Sequence, residues 1–158
     1  MQILYEVKQF PKMKGIDKCV PTKIGTHENY INLLNKIRSD TCYISLVQIE
    51  GIGQEDPIVA NANKLMELIG SKKVKEWPGT RSFGKGGKIF HYKSKREFFH
   101  YLYSFDAFFF EKISKYGVFS VKETDFGLDD IIFMDKDENI LLFTTTHEGD
   151  IYINEKYI

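Results

Sequence analysis

Two hydrophobic patterns alternate along the chain, and each predicts a different secondary structure. Apolar residues recur at helical spacing in three segments, which begin near Thr26, Asp56 and Ser94. Short apolar or alternating runs, rich in β-branched and aromatic residues, predict strands instead. The predicted strands cover residues 2–7, 42–49, 74–77, 88–93, 118–122, 130–134, 140–146 and 150–154. Mixed strands and helices followed by a C-terminal β-meander are typical of the α+β class.

The second and third predicted helices carry clear start signals. Asp56-Pro57 offers a capping carboxylate and then a proline at the first helical position. Ser94 and Glu97 have the spacing of a capping box. The apolar stripe of the second helix continues up to Gly70, which is therefore its predicted end.

Two further regions are less regular. Residues 9–25 contain two prolines and two glycines and predict a loop. Residues 106–116 fit either a helix or a strand, and we favour a helix with Phe109 and Ile113 directed inward. A chain of 158 residues predicts a single domain over residues 1–158. We expect a mainly antiparallel sheet with two or three helices packed on one face.

The location of the protein is predicted from features that the sequence lacks. Its start, MQILYEVKQF, has no basic segment followed by an apolar one, so we expect no signal peptide. No apolar run has the roughly 20 residues of a membrane-spanning helix. Cys19 and Cys42 form no zinc-binding or disulfide-framework pattern. We therefore expect a cytoplasmic protein without a cofactor or metal site.

Charge is balanced overall but uneven along the chain. Residues 71–100 contain nine Lys/Arg and two Asp/Glu, whereas residues 101–158 contain five Lys/Arg and twelve Asp/Glu. The formal net charge of zero disfavours a globally basic nucleic-acid-binding protein. The two segments either form separate basic and acidic patches or interleave on the folded surface.

The segment Gly79–Lys85 matches the beginning of a phosphate-binding loop, G-x-x-x-x-G-K. Gly86 stands where that loop needs a hydroxyl for magnesium, and a strand follows where it needs a helix. The pattern thus favours a connection between strands. A basic loop that contacts an anionic partner through Arg81, Lys85 and Lys88 remains the alternative.

His147-Glu148 is the candidate polar site at the meander, because a histidine beside a carboxylate can serve acid–base chemistry. Adjacent residues on a strand point to opposite faces, so the two could cooperate only in a turn, which Gly149 favours. The alternative is that the pair only shapes the turn through hydrogen bonds to the backbone.

Carboxylates cluster just before and within the meander. Those at 135–138 lack the spacing of a calcium-binding loop and predict a solvated turn. The earlier ones predict an acidic rim that contacts a partner. They are Glu123, Asp125, Asp129 and Asp130.

Three short segments suggest a family resemblance. They are Glu76-Trp77-Pro78-Gly79-Thr80, Leu128-Asp129-Asp130-Ile131-Ile132-Phe133 and Thr144-Thr145-Thr146-His147-Glu148-Gly149. This order, across residues 76–153, resembles small bacterial proteins of unassigned function, some of which look like immunity proteins of polymorphic toxin systems. The resemblance implies a non-enzymatic protein that binds and blocks a cognate toxin, and it identifies no site residue.

These observations leave three hypotheses. The leading one is a protein-binding protein of the immunity type, whose acidic rim meets a basic toxin domain. The second is a small enzyme that uses His147 and Glu148 in a cleft. The third is contact with nucleic acid through the basic segment 79–96.

Overall fold

A seven-stranded antiparallel sheet forms the centre of the molecule in a computed structural model of the chain. The structure describes residues 12–22, 27–49, 57–81, 86–105, 107–108, 110–113, 119–122, 129–145 and 149–158. The helices are α1 (His27–Arg38), α2 (Pro57–Leu65) and α3 (Arg96–Tyr103). The strands are β1 (Cys19–Thr22), β2 (Tyr43–Ile49), β3 (Glu67–Val74), β4 (Glu76–Trp77), β5 (Thr80–Arg81), β6 (Gly87–Lys93), β7 (Phe110–Ile113), β8 (Phe119–Lys122), β9 (Asp130–Met134), β10 (Ile140–Thr145) and β11 (Asp150–Asn154).

The order of strands in the main sheet is β1-β11-β10-β9-β2-β6-β3, and every neighbouring pair is antiparallel. The hairpins β4–β5 and β7–β8 are separate two-stranded ribbons. The predicted α+β class and the C-terminal meander β9-β10-β11 are therefore confirmed. The turn between β9 and β10 is closed by Asp135, whose Oδ1 accepts hydrogen bonds from the backbone N–H groups of Asp137 and Asn139.

The two faces of the sheet carry different cores. One face packs against all three helices, whose buried side chains include Leu34, Ile58 and Phe98. The predicted stripe of α1 is confirmed, since its inward residues are buried together. The opposite face carries a second cluster, which contains no helical residue: Val47, Trp77, Ile89, Ile132, Met134, Ile140 and Phe143. Alternation along the strands supplies both cores at once, because successive side chains point to opposite faces.

Three predicted elements differ from the structure because strand pairing overrides the local pattern. The helix that was predicted to end at Gly70 ends at Leu65, and residues 67–74 instead pair with β6. Gly70 lies at the register shift of that pairing, where an extra residue bulges out. The predicted loop at 9–25 contains β1, which pairs with β11. Phe110–Ile113 is a strand rather than a helix, because it pairs with β8.

The start of α3 also differs from the prediction. Its N-cap residue is Lys95, and no side chain caps the helix there. The Ser94 N–H donates to the Cys42 carbonyl, so Ser94 still belongs to the strand pairing and lies one residue too early for a capping box. The predicted strand 2–7 and the capping residues Thr26 and Asp56 lie outside the described residues. None of the three described helices has the length and apolar character needed to cross a bilayer.

Candidate functional site at the Trp77–Asp130 junction

A tight hairpin lies against the sheet face that the helices leave uncovered. Strands β4 and β5 pair through Glu76–Arg81 and Trp77–Thr80, and Pro78-Gly79 forms the turn. Gly79 has a φ of 80°, and a proline followed by a glycine of positive φ is the sequence that a type II turn requires. Trp77 is buried in the second hydrophobic cluster, on the sheet face opposite the helices. The sequence thus folds this segment locally and anchors it through its one tryptophan.

The indole of Trp77 is fixed by a buried carboxylate. Trp77 Nε1 donates a hydrogen bond of 2.8 Å to Oδ2 of Asp130, the first residue of β9. Asp130 is fully buried. Burying a carboxylate is unfavourable unless hydrogen bonds compensate for lost hydration, so the indole N–H and Asp130 stabilise each other in place.

The turn of the hairpin rests directly on β10. A Cβ atom at Gly79 would overlap Cγ2 of Thr145 and a ring carbon of Phe143. Only glycine therefore lets the backbone approach this closely. On the neighbouring strand pair, the Thr144 hydroxyl accepts a hydrogen bond of 3.1 Å from the Ile131 N–H. The three segments that the sequence analysis set side by side thus meet at one junction, which sequence spacing alone does not reveal.

An open groove lies beside this junction. It has a volume of about 530 Å³. Its lining residues are Met13, Ile16, Glu76, Trp77, Pro78, Gly79 and Thr80. Ile16 is 45% exposed and Glu76 is exposed at the rim. Among the described residues, the hydroxyls of Thr80 and of buried Thr145 have no hydrogen-bond partner. Both hydroxyl oxygens are buried, so the groove offers a place for an apolar side chain with the Glu76 carboxylate beside it.

The predicted acidic rim is not present at its two described positions. Asp129 and Asp130 are 3% and 0% exposed, so the prediction that they form an exposed rim is wrong. The reason is that Asp130 begins a central strand and is covered by Trp77, which sequence-local reasoning could not see. Glu123 and Asp125 lie outside the described residues.

The predicted basic contact is described only in part. Lys88 is exposed on β6, where it lies opposite Lys73 of β3. Arg81 ends the β4–β5 hairpin, and its side chain is not described. Lys85, His147 and Glu148 lie outside the described residues, so the polar site stays a prediction.

A buried polar pair that the sequence pattern did not predict lies between β2 and β6. Ser45 Oγ lies 2.9 Å from His91 Nδ1, and both residues are almost fully buried. His91 also stacks on Tyr43, with ring centroids 5.3 Å apart. Burial lowers the pKa of His91 from 6.5 to about 4, so the ring is neutral at pH 7. The alternation of residues 87–93 could have identified it, because it places His91 on the face opposite Phe90 and Tyr92.

The Ser45–His91 pair has the atoms of a nucleophile and a base but not their accessibility. A nucleophile must reach a substrate, and Ser45 is fully buried. The pair therefore stabilises the sheet face. Within the described ranges, no group of three or more His, Cys, Asp or Glu side chains could hold a metal ion.

Comparison with known proteins adds no assignment. No protein-family model, no curated protein and no solved structure matches the chain.

Proposed function

We propose that this chain is a non-enzymatic protein-binding protein of the immunity type, which binds a partner protein at the groove beside the Pro78-Gly79 turn. The partner class is a cognate bacterial toxin, and the setting is the cytoplasm. The observation that supports the proposal is the groove itself, which combines apolar walls, an open mouth and a polar rim. Protein interfaces commonly gain most of their affinity from one or two anchor side chains that fill such pockets.

The groove is held in shape before any partner arrives. The Trp77–Asp130 hydrogen bond fixes one wall, and the contact of Gly79 with Thr145 and Phe143 fixes the turn above it. A rigid surface loses little conformational entropy on binding, which favours affinity. This supports a binding surface that is formed before the partner arrives.

The rim suggests the chemistry of that partner. Exposed Glu76 lies beside the apolar walls formed by Ile16 and Pro78. A side chain with an aliphatic stem and a positive charge would contact both the apolar walls and the Glu76 carboxylate. Arginine has this chemistry and is enriched among the anchor residues of interfaces. A basic toxin surface is therefore still the expected partner, with Glu76 rather than Asp129 or Asp130 as its carboxylate contact.

The test uses the protein encoded beside this chain as the candidate toxin. We expect the wild-type chain to capture that protein when both are co-expressed and to restore growth to cells that produce it. Ile16→Glu places a charge in the groove and should abolish both effects. Ile158→Glu is the matched control, because Ile158 is 81% exposed and does not line the groove.

Both variants should keep the wild-type thermal unfolding temperature, since both positions are exposed. The proposal fails if the wild-type chain neither captures the neighbouring protein nor protects cells from it. Equal loss of capture in the Ile16 and Ile158 variants would remove the groove from the proposal.

A further inference from the structure

Two segments of the chain line the groove. One is the β4–β5 hairpin, and the other contributes Met13 and Ile16 and is called the Met13–Ile16 wall below. The hairpin is held by the Trp77 hydrogen bond and by the close approach of Gly79 to β10. A different set of contacts holds the Met13–Ile16 wall, and these contacts determine where its two apolar side chains lie.

The backbone of Lys14 pairs with the turn between β9 and β10. Its N–H donates a hydrogen bond of 2.9 Å to the Glu138 carbonyl, and its carbonyl accepts one of 2.8 Å from the Ile140 N–H. The two bonds form a parallel bridge between Lys14 and Asn139. Because Lys14 lies inside the Met13–Ile16 wall, the turn fixes the backbone of the wall at its centre.

The shape of that turn depends on Asp135. Its Oδ1 accepts hydrogen bonds of 2.9 Å from the N–H groups of Asp137 and Asn139, and its Oδ2 accepts one of 3.2 Å from Asn139 Nδ2. Within the turn, Glu138 has a φ of 68°, which residues other than glycine rarely adopt. The Glu138 carbonyl is the acceptor for the Lys14 N–H, so a turn that changed shape would withdraw this acceptor from the wall.

The far end of the wall is attached to the sheet as well. The Lys18 N–H donates a hydrogen bond of 3.0 Å to the Gly15 carbonyl and closes the helical turn that begins at Ile16. The Cys19 thiol lies 3.8 Å from the carbonyl oxygens of both Gly15 and Ile140. Burial raises the pKa of Cys19 to about 11, so the thiol keeps the proton that it donates. Ile16 is therefore held on both sides along the chain.

The backbone of Met13 shows that its surroundings impose this arrangement. Its φ is 51°, in the left-handed region that a residue with a Cβ atom seldom enters. Such conformations persist where neighbouring contacts fix them, and they are common in segments that hold ligands. The pairing of the next residue, Lys14, supplies such a contact. A loosened turn would therefore release Met13 as well.

We propose that the β9–β10 turn positions the Met13–Ile16 wall, so that Asp135 and Asn139 determine how tightly the groove holds an anchor side chain. Neither is among the described residues that line the groove, so both act through the wall. A wall that is fixed in the free protein loses little conformational entropy on binding, which favours affinity. The inference rests on the proposed function for its occupant, but the position of the wall can be measured without one.

The first measurement therefore uses the free protein. Asp135→Ala removes all three acceptor contacts of the turn. We expect the methyl NMR resonance of Ile16 to shift and hydrogen exchange of the Lys14 N–H to accelerate by about tenfold. Asp135→Asn keeps an acceptor oxygen and should restore most of both values. Asp40→Ala is the matched control, because it removes the same charge and an exposed hydrogen bond from Tyr157, and it should change neither value.

The second measurement uses the protein encoded beside this chain as the probe. Asp135→Ala should weaken its binding by about three- to tenfold, whereas Asp135→Asn and Asp40→Ala should stay within about twofold of wild type. Asn139→Ala removes the other partner of the same turn. Combined with Asp135→Ala, it should add little further loss, because both changes act through one turn.

The outcomes separate this inference from the proposed function. An unmoved Ile16 resonance with unchanged Lys14 exchange in Asp135→Ala overturns the inference, whether or not a partner binds. Partner binding at wild-type strength by Asp135→Ala also overturns it and leaves the proposed function intact. If the wild-type chain binds no neighbouring protein, the proposed function fails, while a displaced Ile16 would still support the positioning of the wall by the turn.

Discussion

Trp77 and Asp130 are 53 positions apart in the sequence and are joined by a buried hydrogen bond of 2.8 Å from the indole Nε1 to the carboxylate Oδ2. The bond connects a two-stranded hairpin to a central strand of the main sheet. Through it, the groove wall and the sheet become one rigid unit. It also removes Asp130 from the surface.

Loss of the indole donor should destabilise the protein. Trp77→Phe leaves the buried carboxylate without this partner, and we expect the free energy of unfolding to fall by about 1–3 kcal/mol, measured by urea unfolding. Asp130→Asn keeps an acceptor for the indole N–H and should lower the free energy of unfolding by less. In a double-mutant cycle the two should couple by about 0.5 kcal/mol or more.

The control for this pair is an exposed hydrogen bond of similar chemistry. Tyr157 Oη donates to Oδ2 of Asp40 at 2.6 Å on the surface. Tyr157→Phe should change the free energy of unfolding by less than about 0.5 kcal/mol. Similar losses for Trp77→Phe and Tyr157→Phe would contradict the role assigned to burial.

Gly79 should tolerate no side chain. Gly79→Ala forces a residue with a Cβ atom into a φ of 80° and brings that atom into Thr145 and Phe143. We expect a loss of about 2–4 kcal/mol in urea unfolding, from backbone strain and steric overlap together. Thr145→Ser removes one overlapping atom and should restore part of the loss.

A substitution at Gly15 separates the cost of backbone strain from the cost of steric overlap. Its φ is 79°, but a Cβ atom there would meet only Oδ1 of Asn139, at 3.8 Å. Gly15→Ala should therefore cost only about 1 kcal/mol, the backbone part alone. Equal losses at Gly15 and Gly79 would show that the contact with β10 contributes nothing.

The buried histidine should make stability depend on pH. Burial lowers the pKa of His91 from 6.5 to about 4, so between these values the unfolded chain binds a proton that the folded chain does not. Stability should therefore fall as the pH drops from about 6.5 to 4, by up to about 3 kcal/mol, and this contribution should level off below 4.

The measurement is urea unfolding at several pH values in this window. The His91→Gln variant should be less stable at pH 7. Its free energy of unfolding should also depend much less on pH, because the titrating group is gone. His100→Gln is the control, since His100 is exposed on α3. If His91→Gln kept the full wild-type slope, other groups would be responsible.

The register of β3 and β6 should decide how a charge reversal changes stability. Lys88→Glu replaces a like-charge pair with Lys73 by an opposite-charge pair, and we expect a gain of about 0.2–1 kcal/mol in urea unfolding. Lys93→Glu creates a like-charge pair with Glu67 and should lose a similar amount of stability. A gain in both variants would contradict the register-based argument.

Local sequence patterns are sufficient for the elements whose pattern and tertiary role agree. The inward stripe of α1 follows from its helical periodicity. The strands β2 and β6 and the meander with its Asp135 turn follow from short apolar or alternating runs that turn residues bound. The Pro78-Gly79 turn is equally local. Each is specified by residues within a few positions of one another.

Which segments meet depends on the order and register of the strands in the folded sheet. The first residues of β3 form a strand where the apolar stripe predicts helix, because they pair with β6. Asp130 is buried rather than exposed because a tryptophan far along the chain supplies its hydrogen bond. Lys73 faces Lys88 because of strand register. These are long-range relationships, and composition and spacing carry no information about them until the strand order is fixed.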